Sequence, residues 1–233
     1  MFNATRVLPS SFQFNWMPNC LFWARSDLGI TASSNAVSQW NDNSSGGYNL
    51  TQGTPSWAPV YGSGVHGIQK LTATGPGSIQ YLVNTSFPTL THPFTYIFVL
   101  TPTNATPSNN GYILDNNSGN NCATFITTNS NVEQYNGNIV NTTAISVNNI
   151  HLLESVFNDS SSGIAIDGAA YNAAAPGNPT DTLNIGITLF NYAPIHLFGF
   201  EGDIYEFIII GRTLTSTERT RIHQYAQQRY STS

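Results

Sequence analysis

Charge is what this chain has least of. Asp, Glu, Lys and Arg make up only 8% of its 233 residues, and there is a single lysine, Lys70. With a net charge of −5 and no basic patch interleaved with aromatics, the sequence carries no electrostatic footprint for a nucleic acid. Long hydrophobic runs are missing as well. The apolar stretches are of strand length, well short of the roughly 20 residues that a bilayer helix requires, and the opening MFNATRVLPSSFQFNW has no apolar leader. Neither nucleic acid nor membrane insertion is therefore expected. The two cysteines, Cys20 and Cys122, are too few for a disulfide framework and lie far from any cluster that would make a zinc site. Each sits among strand-like apolar residues and reads as a free, buried thiol, with a mutual disulfide as the alternative.

Asn, Ser, Thr and Gly fill the polar positions instead, a composition that suits many short strands joined by turns. It also produces N-x-S/T triplets by chance, at Asn3, Asn49, Asn84, Asn104 and Asn141. A chain of this length can bury roughly 70–75% of its unfolded surface, and no linker divides it. Strand signals run along it: Leu21 to Ala24, Val37 to Trp40, Ile68 to Thr72, Ile79 to Val83, Thr95 to Leu100, Tyr112 to Leu114, Ala123 to Thr127 and Val132 to Tyr135. A hairpin joins His151–Phe157 to 163–167, and a further strand begins at Leu183 after a loop holding Pro176 and Pro179. Residues 1–19 contain Pro9, Pro18 and a short apolar stretch without helical period, and read as an N-terminal arm or an extra strand.

The segment from Gly199 to Tyr230 holds the clearest strand and the clearest helix. Asp203 to Ile210 is rich in Ile, Tyr and Phe, with apolar residues on both parities. Both faces should therefore be covered, one by a facing sheet and the other by the helix. Thr215-Ser216-Thr217-Glu218 has the capping-box form, making Thr215 the N-cap. Ile222, Tyr225, Ala226 and Tyr230 then give one apolar stripe, while Arg212, Arg219, Arg221 and Arg229 are expected on solvated surface.

Several pieces in order carry a resemblance: LFWARSD from Leu21, VSQWND from Val37, the stretch from His151 to Gly168, LNIG from Leu183, and above all FEGDIYE from Phe200. The last runs into RTLT at Arg212 and on to Glu218, Tyr225 and Tyr230. Together they resemble the concanavalin A-like, laminin-G-like jelly-roll domains, including those of phage virion and bacterial surface proteins, over nearly everything after residue 20. The resemblance implies an all-β, two-sheet antiparallel jelly-roll sandwich over residues 20–233 with one C-terminal α-helix. Function does not follow from this fold, which hosts lectins, hydrolases and structural modules alike.

Four chemistries are conceivable on that scaffold. Retaining glycosidases of the same fold carry E-x-D-x-E, or a bulged E-x-D-x-x-E, on one strand, and Glu201, Asp203 and Glu206 match the bulged spacing. Against this, the enzymes' catalytic strand lies mid-chain, and non-catalytic laminin-G-like modules share the G-D-I-x-E pattern. No G-x-S-x-G elbow is present and His66, His92, His151, His196 and His223 are scattered, so a serine nucleophile has less support. Laminin-G-like domains often hold a rim calcium, but Asp42, Asp115 and Asp159 form no dense acidic cluster, so no metal and no cofactor is expected. Aromatics on turn-rich segments fit better. Tyr48, Trp57 and Tyr61 are the candidate ligand-binding residues, able to stack on sugar faces or, alternatively, to plug one end of the sandwich; Trp23 and Trp40 read as core.

The resulting expectation is a non-catalytic structural or adhesion module of a virion or surface assembly, of the capsid-decoration or fibre type. It would be oligomeric or assembly-bound, touching other subunits and cell-surface glycans at the virion surface, or else at a cell surface or extracellularly. The alternatives are a free carbohydrate-binding lectin and a retaining glycoside hydrolase using Glu201 and Glu206.

Overall fold

The computed structural model describes residue 14 and residues 17–75, 79–104, 106–119, 121–137, 139–172 and 182–232. Strands run over Cys20–Arg25 (β1), Ile30–Ser33 (β2), Ala36–Trp40 (β3), Leu50–Thr51 (β4), Val60–Ser63 (β5), Gln69–Thr74 (β6) and Leu82–Asn84 (β7). They continue over Phe94–Pro102 (β8), Gly111–Asn116 (β9), Ala123–Ile126 (β10), Asn131–Tyr135 (β11), Ile139–Ala144 (β12), His151–Phe157 (β13), Gly163–Ile166 (β14), Ile187–Leu189 (β15) and Glu201–Ile210 (β16). Helix α1 follows over Ser216–Tyr230. The expected all-β antiparallel architecture with one C-terminal helix is present.

Hydrogen bonding links the strands in the order β12-β11-β10-β9-β15-β7-β4-β3-β5-β6-β16-β8-β13-β14, with β1 on β16 and β2 on β3. This path curls until β14 meets β11 and β12, so that two layers face each other. Between them lies the main core, which includes Phe22, Trp40, Phe94, Phe98, Leu114, Phe157, Leu189, Phe200 and Phe207, with Phe98 and Phe207 stacked at 4.7 Å.

The strand β16 serves two cores at once. Its register on β8 shifts between Ile204 and Glu206, which places a bulge at Tyr205. Before the bulge β16 pairs with β6; beyond it the same edge pairs with β1. The bulge also corrects the simple alternation read from sequence. Ile204, Phe207 and Ile209 face the main core, whereas Tyr205, Ile208 and Ile210 face a second core under α1 with Trp23, Ile97, Ile222, Tyr225 and Tyr230.

The helix is capped as expected: Thr215 Oγ1 accepts from Glu218 N and the Glu218 side chain accepts from Thr215 N. Arg221 is exposed as expected, whereas Arg212, Arg219 and Arg229 are engaged rather than solvated. Arg212 forks onto Glu218 at 2.6 and 2.9 Å, Arg229 pairs with Asp27, and Arg219 bonds buried Glu154 at 2.8 Å while lying 4.0 Å over the Tyr171 ring. The reason is geometric: α1 packs against the sheet, so the long side chains at its flanks reach carboxylates of β13, of the turn after β1 and of the first turn of α1 itself. Of the proposed N-terminal arm, Phe14 and Met17 are buried in the second core, with Phe14 5.6 Å from the Tyr225 ring. Residues 1–13, 15 and 16 lie outside the described residues, as does the Pro176–Pro179 loop.

No strand signal marks β2, β4 and β5, which are short, or the six-residue β12, whose centre is polar. The sequence reading also places strand character at 79–81, ahead of β7, and starts the strand after Pro179 at Leu183, which makes only an isolated bridge to Leu90 before β15 begins at Ile187. Asp115 is buried within β9. Neither cysteine forms a disulfide; Cys122 is buried and Cys20 half-buried, and burial pushes the Cys20 thiol up to about 12.

Candidate functional site

The carboxylates of β16 separate into three environments. Glu201 accepts from Asn104 at 3.0 Å, and Asp203 accepts from Lys70 at 2.8 Å and from Thr72 at 2.6 Å. Glu206 is fully buried beneath α1, where Oε1 accepts from Trp23 Nε1 at 2.7 Å and Oε2 accepts from the hydroxyls of Tyr225 and Tyr230 at 2.8 and 2.7 Å. Burial pushes its carboxyl above the ordinary glutamate value, while the three donors pull it back. Burial and the neighbouring Glu206 together hold both tyrosine hydroxyls far above their ordinary value, so they remain donors. The bulged spacing thus arises from a real bulge, and it turns Glu206 toward the helix.

The three aromatics singled out in the sequence lie apart. Tyr48 is half-buried and packs edge-on against Phe87 at 5.1 Å, on a loop held by Asp42, whose oxygens accept from Trp23 N, Ser44 N and Tyr48 N. Tyr61 on β5 is half-buried against the main core. Trp57 is 38% exposed. Among the described residues no ring contact joins any two of the three.

Trp57 instead belongs to a row that the sequence reading misses. Its ring lies 6.4 Å from Tyr81, and Tyr81 stacks face to face on His196 at 3.9 Å with an interplanar angle of 6°. His196 comes from the 190–199 segment between β15 and β16. On the other flank of that segment, Tyr112 and Phe125, a direct cross-strand pair of β9 and β10, stack at 4.9 Å. Tyr192 leans on Tyr112 at 4.9 Å and Phe198 on Tyr192 at 5.7 Å. Beside them opens a cavity of about 240 Å³ lined by Ser108, Asn109, Asn110, Tyr112, Thr128 and Phe198. The lining is uncharged: two rings and a rim of amides and hydroxyls.

One buried side chain holds this segment in place. Asn191 Nδ2 donates to Gln80 O and to His196 O, both at 3.2 Å, and its Oδ1 accepts from Tyr192 N at 2.9 Å and Phe198 N at 3.1 Å. All four hydrogen-bonding positions of the amide are filled. The backbone adds Tyr112 N donating to Phe198 O at 2.8 Å, and Pro194 packs against Gly119, where a Cβ would overlap the proline ring. Ile195 and Leu197 stand at the outer edge, 48% and 47% exposed. No local pattern announces this site, because its rings come from turns and strands remote in sequence; the outward parity of Tyr112 on β9 is the one signal available.

Other polar clusters close on themselves. His151 Nδ1 meets Asp167 at 2.7 Å, and its Nε2 lies 3.0 Å from both Oγ and the carbonyl oxygen of Ser146. The Asp167 carboxylate can only accept, so the hydrogen on Nδ1 points at it, and the ring ties that aspartate to the turn at Ser146. His92 joins Asp159 at 2.7 Å with the buried Cys122 thiol 3.9 Å away. Among the described residues no group of three or more His, Cys, Asp or Glu is placed to hold a metal ion, and no helix is long and apolar enough to cross a membrane.

No protein-family model and no curated protein sequence matches the chain. Solved structures do. The chain is similar to the Trypanosoma rangeli sialidase in complex with 2,3-difluorosialic acid (TM-score 0.62, 12% identity), over 92% of this chain and 34% of the sialidase. It is similar to domain 4 of AbnA, a GH43 extracellular arabinanase from Geobacillus stearothermophilus, in complex with arabinotriose (TM-score 0.59, 14% identity), over 88% of this chain and 98% of that domain. A third similarity is to botulinum neurotoxin type C, whose cell entry depends on two ganglioside molecules (TM-score 0.58, 13% identity), over 91% of this chain and 52% of the other. The likeness is one of fold. This chain spans about a third of the length of the sialidases it matches.

Proposed function

We propose that this chain is a non-catalytic carbohydrate-binding module of a surface or virion assembly. The observation that carries the reading is the uncharged cavity floored by Tyr112 and Phe198 and rimmed by Asn109, Asn110, Ser108 and Thr128. Sugars present apolar ring faces and a periphery of hydroxyls, and aromatic floors with amide rims match both. The sugar-bound and ganglioside-dependent proteins of the same fold add support at the level of architecture. Within the assembly reading, the scarcity of charge and the exposed Ile185 favour docking against other subunits.

The non-catalytic part rests on Glu206, whose oxygens are occupied and covered by α1, leaving the outer carboxylate of the glycosidase pattern without access to a substrate. A glycan array followed by titration calorimetry tests the binding. Phe198→Ala is expected to weaken the best ligand at least about tenfold with an unchanged circular dichroism spectrum, and undiminished affinity removes the cavity from the site. A hydrolysis screen on β-glucans, agars and carrageenans tests the other half: turnover that disappears in Glu201→Gln reinstates the glycosidase. Light scattering separates an assembly subunit from a monomeric lectin.

A further inference from the structure

We propose that the Trp57–Tyr81–His196 row is a second subsite, and that the ligand is an extended, neutral oligosaccharide lying across the 190–199 segment from the cavity to this row. The inference rests on the carbohydrate reading above and specifies the ligand it takes.

The row is built rather than incidental. Tyr81 N donates to Trp57 O at 3.0 Å, so the two residues are fixed through their backbones, and Gln52 Nε2 donates to Tyr81 O at 3.2 Å from the other side. His196 is fixed by its own N donating to Tyr192 O at 2.8 Å and by Asn191 bonding its carbonyl. The backbones that carry the three rings are therefore fixed relative to one another. Among the described residues neither Trp57 Nε1 nor the Tyr81 hydroxyl has a hydrogen-bond partner, and His196 Nδ1 has none either. Two aromatic donors outside the core thus have no protein acceptor, as expected where a ligand supplies the hydroxyls. Burial lowers the His196 pKa below its ordinary value, which favours the neutral imidazole in the stack.

The two subsites belong to one ligand because they share a scaffold. His196 and Phe198 are two residues apart, a separation of at most about 7 Å along an extended backbone. That is comparable to the repeat of a glycan chain, and the bonds of Asn191 fix both residues relative to each other. Neutrality follows from what lines the surface. The cavity contains no charged side chain, the row contributes none that is cationic by default, and the molecule carries −5. An acidic sugar would bring a carboxylate to a site that offers no cation, against the field of the whole chain.

Titration calorimetry on the full chain with arabino-oligosaccharides and β-gluco-oligosaccharides, from monomer to hexamer, and with sialyllactose tests this. Affinity in one neutral series should rise by at least about tenfold with length. Trp57→Ala should abolish that rise while leaving the shortest binding ligand unaffected, and Tyr81→Phe, which keeps the ring, should reduce it partially. Phe198→Ala should weaken every length. Affinity that does not rise with length, or a rise that survives Trp57→Ala, overturns the second subsite while leaving the cavity reading intact. Sialyllactose binding as tightly as the best neutral chain overturns neutrality. Full affinity at every length in Phe198→Ala, or no binding by any of these sugars, overturns the carbohydrate reading itself and this inference with it.

Discussion

The two aromatic faces of this molecule use the same residue types to opposite ends. Under the helix, Trp23, Tyr225 and Tyr230 turn their donors inward onto the single buried carboxylate of Glu206. Around the 190–199 segment, Trp57 and Tyr81 turn theirs toward solvent, where nothing in the described protein receives them. An aromatic ring therefore says little about function by itself. What separates a seal from a binding surface is whether its polar tip already has a partner.

Substitutions should pull the two faces apart. The largest effect is expected from Glu206→Leu, which leaves three buried donors without an acceptor and should cost about 3–5 kcal/mol in urea unfolding; a cost under about 1 kcal/mol would mean that the helix face is not held by this carboxylate. Next comes Asn191→Leu, which fills the same space but strands the amides of Tyr192 and Phe198. It should cost about 2–3 kcal/mol and, unlike Glu206→Leu, should also weaken sugar binding in the folded fraction.

A smaller contribution comes from the helix cap. The bonds from Arg212 hold the Glu218 carboxyl down at about 2, from an ordinary 4.5. A depressed carboxylate contributes stability that is complete above about pH 4.5 and is lost as pH falls through about 2. Glu206, raised by burial, has the opposite sign: its contribution is greatest at low pH and declines as pH rises through its elevated folded value. Glu218→Gln should therefore cost about 1 kcal/mol at neutral pH and flatten the acid limb of a stability-versus-pH curve; an unchanged acid limb would remove the cap from the account. The smallest change in stability, within about 0.5 kcal/mol, is expected from Trp57→Ala, even though it should have the clearest effect on long oligosaccharides. A thermal melt beside a binding titration checks both.

Where structure follows from neighbours in sequence, it could be read beforehand. The capping box at Thr215, the apolar stripe of α1 and the Ile-rich β16 all carry their signals within a few residues, and the hairpin of β13 and β14 was visible for the same reason. The strands β2, β4 and β5 were not, because ITAS, LT and VYGS pack few apolar atoms and owe their conformation to the strands beside them. The site divides in the same way. Trp57 stands out as a large ring in a turn-rich stretch, whereas Tyr81, Tyr112, His196 and Phe198 gain their meaning only once β7, β15 and β9 are paired and the 190–199 segment is packed against Tyr81 and Tyr112. Tyr48 and Tyr61 look similar to Trp57 in sequence, yet they are half-buried against the core.

The contact between Trp23 and Glu206 also bears on how the chain assembles. It joins residues 183 positions apart, and the carboxylate it shares with Tyr225 and Tyr230 cannot be enclosed until β1, β16 and α1 have all arrived. Loop closure over such a span must be paid before any of the three bonds exists. We expect this knot to tie last, with Tyr225→Phe and Tyr230→Phe hastening unfolding while leaving the refolding rate nearly untouched, so that φ-values there fall close to zero. Values near one would place the helix in the folding nucleus instead.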